Sequence, residues 1–210
     1  MNTRILLVEG TSGTGKSTLI KGLLRKYILE HDRPGTLLNL SQAHTYFPIV
    51  RAEPAPPVGK REHRELLRRI LRMLHWDTDD LSPKKWFTLF SLIDTLHITH
   101  YFRPGILSWA EMSYVDKSLA VLGGRLVFLQ AEPETLWERL IIERSKDPLF
   151  MNHYQKKFGH SPEAVHKYYA NEQQQMSMVV RQSTMDKLFL SSEDPVEENV
   201  EKAYAFWMKA

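Results

Sequence analysis

The chain has 210 residues, 42% of them hydrophobic, which suits one globular domain with a substantial buried core and does not suit a disordered chain. It contains no cysteine, which excludes a disulfide framework and a thiolate metal site, and no apolar run approaches the roughly 18 residues of a membrane span. Lys and Arg number 28 against 25 acidic residues, and a net charge of +3 is too small to indicate nucleic acid by itself. The opening residues do not read as a signal peptide, so a cytoplasmic protein is expected.

Ile5–Val8 reads as a short buried strand that ends at Glu9. The next stretch, GTSGTGKST (Gly10–Thr18), fits G-x-x-x-x-G-K-[ST]. A phosphate chain wrapped by consecutive backbone N–H groups needs glycine wherever a side chain or a negative φ would block the path. Gly10, Thr11, Ser12, Gly13, Thr14, Gly15, Lys16, Ser17 and Thr18 are therefore assigned to a nucleoside triphosphate. Lys16 reaches the β- and γ-phosphates, the Ser17 hydroxyl suits Mg²⁺, and the helix that follows points its N-terminus at the anion.

That helix is expected over Lys16–Glu30, with Leu19, Leu23 and Leu24 on one face and the turn HDRPG after it. Thr36–Leu40 is a second strand, and Ala52–Gly59 a proline-rich loop. A helix over Lys60–Trp76 carries Leu66, Leu67, Ile70, Leu71 and Leu74 at helical spacing. It also carries Lys60, Arg61, Arg64, Arg68, Arg69 and Arg72, either a solvated face or a contact for an anionic ligand. Phe87–Ile93 favours a third strand with a polar exit at Asp94, although a helix fits the same residues. Ser108–Leu122 is a helix opened by a Ser108/Glu111 capping box and closed by Gly123–Gly124.

Arg125–Gln130 is the fourth strand, and Pro133 opens a helix to about Arg144. The polar stretch 145–160 precedes Ser161–Pro162, which start a long helix to about Gln182. On it Tyr168, Tyr169, Met176 and Val179 read as a core stripe; Trp86 and Trp109 are also core by default. Lys187–Leu190 is a fifth strand, and a last helix follows Pro195. Strands alternating with helices predict a parallel sheet covered on both faces. The expected fold is thus a single α/β domain over 1–210, a three-layer α/β/α P-loop NTPase fold with a five-stranded parallel sheet.

The order of P-loop, basic helix, strand ending in an acid, capped helix, LGGRLVFLQAEPETLWERLIIERSKD and C-terminal strand resembles the thymidylate kinase and deoxynucleoside kinase group of P-loop kinases. The resemblance spans most of the chain, is specific at Gly10–Thr18, and is weak between Gln42 and Trp86. It implies that Asp94 serves as base or magnesium anchor, and that Arg139 and Arg144 lie before and within a mobile lid over 145–160, where Lys146, Lys156 and Lys157 also fall. A closing arginine would offset charge on the transferring oxygens; Arg139 could instead pack on the adenine. The sequence departs from the group at Thr95, where the pattern carries Arg, and at SQAHTYFP, where thymidylate kinases carry an Arg-Glu-Pro run.

The acceptor is therefore not expected to be thymidine monophosphate held in the usual way. Gln42, His44 and Tyr46, and after Asp94 His97, His100 and Arg103, are the acceptor-binding candidates, since both segments leave carboxyl ends of strands. His97 and His100 have metal-compatible spacing but no third ligand, and zinc is not expected.

The leading expectation is an ATP- and Mg²⁺-dependent kinase acting on a nucleoside, a nucleotide or a nucleoside-like antibiotic. Lys16, Asp94 and Arg144 are its catalytic residues, Ser17 and Asp94 its metal ligands, and Arg139 a nucleotide contact. Its partner is a small-molecule acceptor, with a homodimer left open and neither nucleic acid nor a membrane expected. Two alternatives are a nucleotide-dependent switch regulating a protein partner, favoured by Thr95, and a nucleic-acid 5′-kinase, favoured by the basic cluster.

Overall fold

The structure, a computed structural model, describes residues 4–31, 37–40, 60–79, 90–99, 107–146 and 161–209. Five strands, β1 (Arg4–Glu9), β2 (Leu37–Leu40), β3 (Phe90–Asp94), β4 (Gly124–Gln130) and β5 (Asp186–Ser191), form one sheet in the order β2-β3-β1-β4-β5. Every pairing is parallel. β1 is central, and its register sets Val8 opposite Asp94 on one side and Glu9 opposite Phe128 on the other.

The helices are α1 (Lys16–Glu30), α2 (Lys60–Asp79), α3 (Trp109–Val121), α4 (Pro133–Trp137), α5 (Pro162–Gln182) and α6 (Val196–Met208). A strand with period-two side chains serves two cores when both faces are covered, which is why β1 reads as a continuous apolar run. Ile5 and Leu7 pack with Leu67 and Leu71 of α2, Val115 and Leu119 of α3, and Met176 and Val180 of α5. Leu6 and Val8 pack on the other face with Leu19, Leu23 and Tyr27 of α1 and Val200, Tyr204 and Trp207 of α6. The three-layer α/β/α architecture follows from that division.

Local sequence accounts for the helix starts. Ser108 accepts from the Glu111 amide at 3.3 Å while the Glu111 carboxylate accepts from the Ser108 amide at 2.9 Å, so the capping box is complete. Ser161 accepts from the Ala164 amide at 3.1 Å, with Pro162 in the first turn of α5. Tyr169 is buried with Leu136, Leu140 and Val165 in a third cluster, Tyr168 packs on it, and Met176 and Val179 lie in the core under α5. Trp109 packs against that core too.

The single helix expected over Pro133–Arg144 is not regular. α4 stops at Trp137 and gives way to a π-helical turn, Glu138–Glu143, and a 3₁₀ turn, Arg144–Lys146. Two demands explain the change. Leu136 and Leu140 must stay buried on one side, while Arg139 and Arg144, five residues apart, both reach the P-loop. In a regular helix those arginines would stand about 140° apart, and the i→i+5 closure of a π-turn brings them together.

At the foot of the sheet the two ends of the described chain meet. The Trp207 indole N–H donates to the Arg4 carbonyl at 3.0 Å, and Arg4 donates to the Met208 carbonyl. Arg125 donates to the Phe206 and Trp207 carbonyls at 2.8 and 3.1 Å. No described helix is long and apolar enough to cross a membrane.

Candidate active site

The chain leaves β1 at Glu9 and turns at Gly10, whose φ is 151°. A Cβ there would stand 2.6 Å from the Leu129 carbonyl oxygen on β4, so only glycine lets the loop pass the sheet. At the other end Gly15, with φ 89°, is the N-cap of α1 and supplies no side-chain cap. The first turn of α1 has no acidic residue either, so its positive end is left for an anion.

Within the loop the Thr11 carbonyl accepts from Thr14 Oγ1 at 3.0 Å and from Lys16 Nζ at 2.7 Å. The lysine thus lies over the loop it is expected to serve. Thr11 is buried, and its hydroxyl donates to the buried Glu172 carboxylate of α5. Arg139 donates to the Gly13 carbonyl at 3.2 Å and to the Ser192 carbonyl at 3.3 Å, linking the P-loop to the β5–α6 connection. Arg144 donates to Ser12 Oγ at 2.9 Å. A cavity of about 630 Å³ opens between these groups; Ser12–Leu19, Arg139, Arg144 and Asn199 are among the residues that line it. Its volume lies in the range of small-molecule sites.

Asp94 ends β3 beside the P-loop strand. Burial raises its carboxyl above the ordinary aspartate range, Lys16 pulls it back, and Glu9 adds to the rise. Its Oδ1 is buried and accepts no hydrogen bond among the described residues. The next residue, Thr95, is the only described non-glycine residue with positive φ, at 60°. Its amide donates to the Val8 carbonyl at 3.0 Å and its hydroxyl to the Asp94 carbonyl at 2.7 Å. For a β-branched residue this conformation is costly, and such strain collects at functional sites.

The P-loop, Lys16, Arg139 and Arg144 are therefore brought together, with Asp94 within electrostatic reach of Lys16. His97 is not with them. It is fully buried, its Nε2 3.5 Å from Asp116 and its ring stacked on Trp109 at 6.1 Å, so the expectation that it binds the acceptor gives way to a place in the core. Tertiary contact with Asp116, invisible in the local pattern, is the reason. Gln42, His44, Tyr46, His100 and Arg103 lie outside the described residues, as does the lid segment beyond Lys146.

The basic helix α2 spends much of its charge locally. Arg64 and Lys60 pair with Glu111, and Arg68, Arg69 and Arg72 gather around Glu65. Sequence reasoning passed over Glu9, a fully buried carboxylate read merely as the end of a strand. It also missed Glu172, Ser192 and Asn199. A charged residue directly before the first P-loop glycine was the available signal for Glu9.

No protein-family model matches the chain, and no curated protein matches its sequence. Solved structures do match. The YorR protein of Bacillus subtilis, solved in complex with phosphorylated GDP, superposes with a TM-score of 0.56 at 12% identity, covering 96% of this chain and 94% of that one. Shikimate kinase from Bacteroides thetaiotaomicron gives 0.54 at 15% identity, with coverages of 96% and 97%. The fold is that of the P-loop kinases. A gluconokinase from Sinorhizobium meliloti 1021 gives 0.51 at 14% identity, covering 98% of this chain and 92% of that one. At such identities the P-loop kinase likeness is one of fold, and the finer resemblance to the thymidylate and deoxynucleoside kinase group is not carried by it.

Proposed function

We propose that the protein transfers the γ-phosphoryl group of a nucleoside triphosphate to a hydroxyl or phosphate oxygen of a small molecule. The observation that carries this reading is the placement of Asp94. A carboxylate with a buried oxygen that has no hydrogen-bond partner among the described residues stands at the end of β3, within electrostatic reach of the P-loop lysine, where an acid can take a proton or help hold Mg²⁺.

In the proposed reaction the P-loop amides and Lys16 hold the β- and γ-phosphates, and Arg139 and Arg144 supply positive charge from the opposite wall. Asp94 accepts the proton of an acceptor hydroxyl as its oxygen bonds to the γ-phosphorus. The bond from that phosphorus to the β–γ bridging oxygen breaks, and its electron pair leaves with the nucleoside diphosphate. Mg²⁺ fits the residues present: Ser17 lines the cavity, and Asp94 Oδ1 has no hydrogen-bond partner among the described residues. When bound, the ion would neutralise charge on the β- and γ-oxygens. The kinase fold of the structural neighbours supports a small-molecule acceptor, and YorR, solved with a guanine nucleotide, makes GTP a donor to be tried beside ATP.

The test is Mg²⁺-ATP and Mg²⁺-GTP turnover against nucleosides, nucleoside monophosphates, sugars and hydroxylated antibiotics, with Lys16→Ala as blank. Acceptor-stimulated diphosphate release together with a phosphorylated product is the expected result. Tight nucleotide binding with no acceptor stimulating release would sink the reading and favour a switch.

A further inference from the structure

Glu9 is the last residue of β1, next to a loop built to attract anions, and it is fully buried. An anion in that place opposes phosphate binding, so its retention calls for a cause. Its hydrogen bonds supply one. Oε1 accepts from the Leu96 amide at 3.0 Å and the Ile98 amide at 3.2 Å, and Oε2 accepts from the Thr99 amide at 3.1 Å and from the Thr99 hydroxyl. All four donors come from the five residues that follow Asp94. Three backbone N–H groups converging on one carboxylate form an internal anion nest.

The nest dictates the path of the chain. β3 runs parallel to β1 and ends at Asp94, while the amides of residues 96–99 must turn beneath the end of β1. The reversal is taken up at Thr95, in a left-handed conformation that a β-branched residue does not adopt by preference. The ladder bond from the Thr95 amide to Val8 holds the near side of the turn, and Glu9 holds the far side.

We propose that Glu9 is a positioning residue that acts through Asp94: its grip on the amides of Leu96, Ile98 and Thr99 forces the turn at Thr95 and fixes the Asp94 carboxylate beside the P-loop. The inference rests on the phosphotransferase reading for what Asp94 then does.

The test compares Glu9→Gln, Thr99→Val, Thr95→Gly and Glu9→Gln/Thr95→Gly with the wild type. Each is followed by acceptor turnover, ATP affinity, thermal unfolding, and the ¹³C and ¹⁵N chemical shifts of Asp94 and Thr95. Glu9→Gln, whose amide donors face backbone donors, should lower kcat about 100-fold, and Thr99→Val about tenfold. ATP affinity should stay within about threefold, because the P-loop amides are untouched. The double variant should regain about tenfold over Glu9→Gln, since glycine enters the left-handed turn unaided. The backbone chemical shifts of Thr95 should leave the left-handed range in Glu9→Gln.

Unchanged kcat with a lowered melting temperature would make Glu9 a strut only and overturn the proposal. So would a loss of ATP affinity in proportion to turnover, which would place its action on the P-loop, or the absence of recovery with Thr95→Gly. If Glu9→Gln does not fold, Thr99→Val decides by the same criteria. If no acceptor supports turnover in the wild type, the phosphotransferase reading fails separately; Asp94 and Thr95 chemical shifts unmoved by Glu9→Gln and Thr99→Val would then still overturn the positioning claim.

Discussion

Asp94 is held at a cost. Its carboxyl is held above the ordinary aspartate range because burial outweighs the attraction of Lys16, and one oxygen has no hydrogen bond among the described residues. A carboxyl raised on folding destabilises the native state wherever it is ionised, so the penalty is absent in acid and appears as pH climbs through its folded value. Asp94→Asn is therefore expected to abolish acceptor phosphorylation and to raise the thermal midpoint at neutral pH, a separation that calorimetry and a turnover assay read together. The acid limb of the wild-type pH–rate profile should fall above the usual aspartate range and vanish in that variant. Lys16→Ala should lower turnover about 10²–10³-fold, as expected for removal of charge aimed at the transferring group.

At the scale of elements, the buried Asp116 ties α3 to the start of β5. Burial alone would push its carboxyl up, but the His97 ring 3.5 Å away and donors from Ser183 at 2.6 Å and Thr184 at 2.7 and 2.8 Å prevail and hold it at about 2. A depressed folded value contributes stability above the unfolded pKa, lost as pH falls through the folded one. Urea unfolding should show about 2 kcal/mol of stability disappearing between about pH 4 and pH 2 through Asp116, and a correspondingly shallower profile there in Asp116→Asn. The contact of α1 with α6 depends on Gly22, where a Cβ would come 2.4 Å from a Val200 methyl. Gly22→Ala should lower stability on chemical denaturation, because overpacking of about 1–3 kcal/mol exceeds the gain of about 1 kcal/mol in helix propensity.

What could be read from the chain follows the range of the forces involved. The P-loop was legible because amide wrapping demands glycine at fixed spacing, and α3 because the Ser108–Glu111 box is closed within one turn. ERLIIER, by contrast, has the same apolar spacing whether the backbone closes i→i+4 or i→i+5, so the π-turn left no trace. Glu9 and His97 have partners far along the chain; the donors to Glu9 lie 87 to 90 residues away. A polar residue at a strand end carries no periodic mark of such a partner.

At the scale of the whole molecule, a ligand that binds only the folded state must raise its stability. Mg²⁺-ATP at 100 times its Kd should add about 2.7 kcal/mol, a shift in melting temperature of about 5–10 °C, and Lys16→Ala should shrink that shift at equal concentration. The sheet order places β1 between β3 and β4, so the carboxyl ends that form the site belong to the strands in the middle of the sheet. The edge strand β5 borders the site through Ser192, which follows it.

The knot of Arg4 with Trp207 and Met208 lies at the amino ends of those strands, at the opposite pole from the P-loop. The order in which the polypeptide is written is thereby decoupled from the place where its chemistry is proposed. A short bridge between Met208 and Arg4 would span little distance, and the chain could be opened instead in an exposed turn elsewhere. Such a rearranged chain would keep the same neighbours around Lys16 and Asp94, its identity residing in adjacency and not in sequence order.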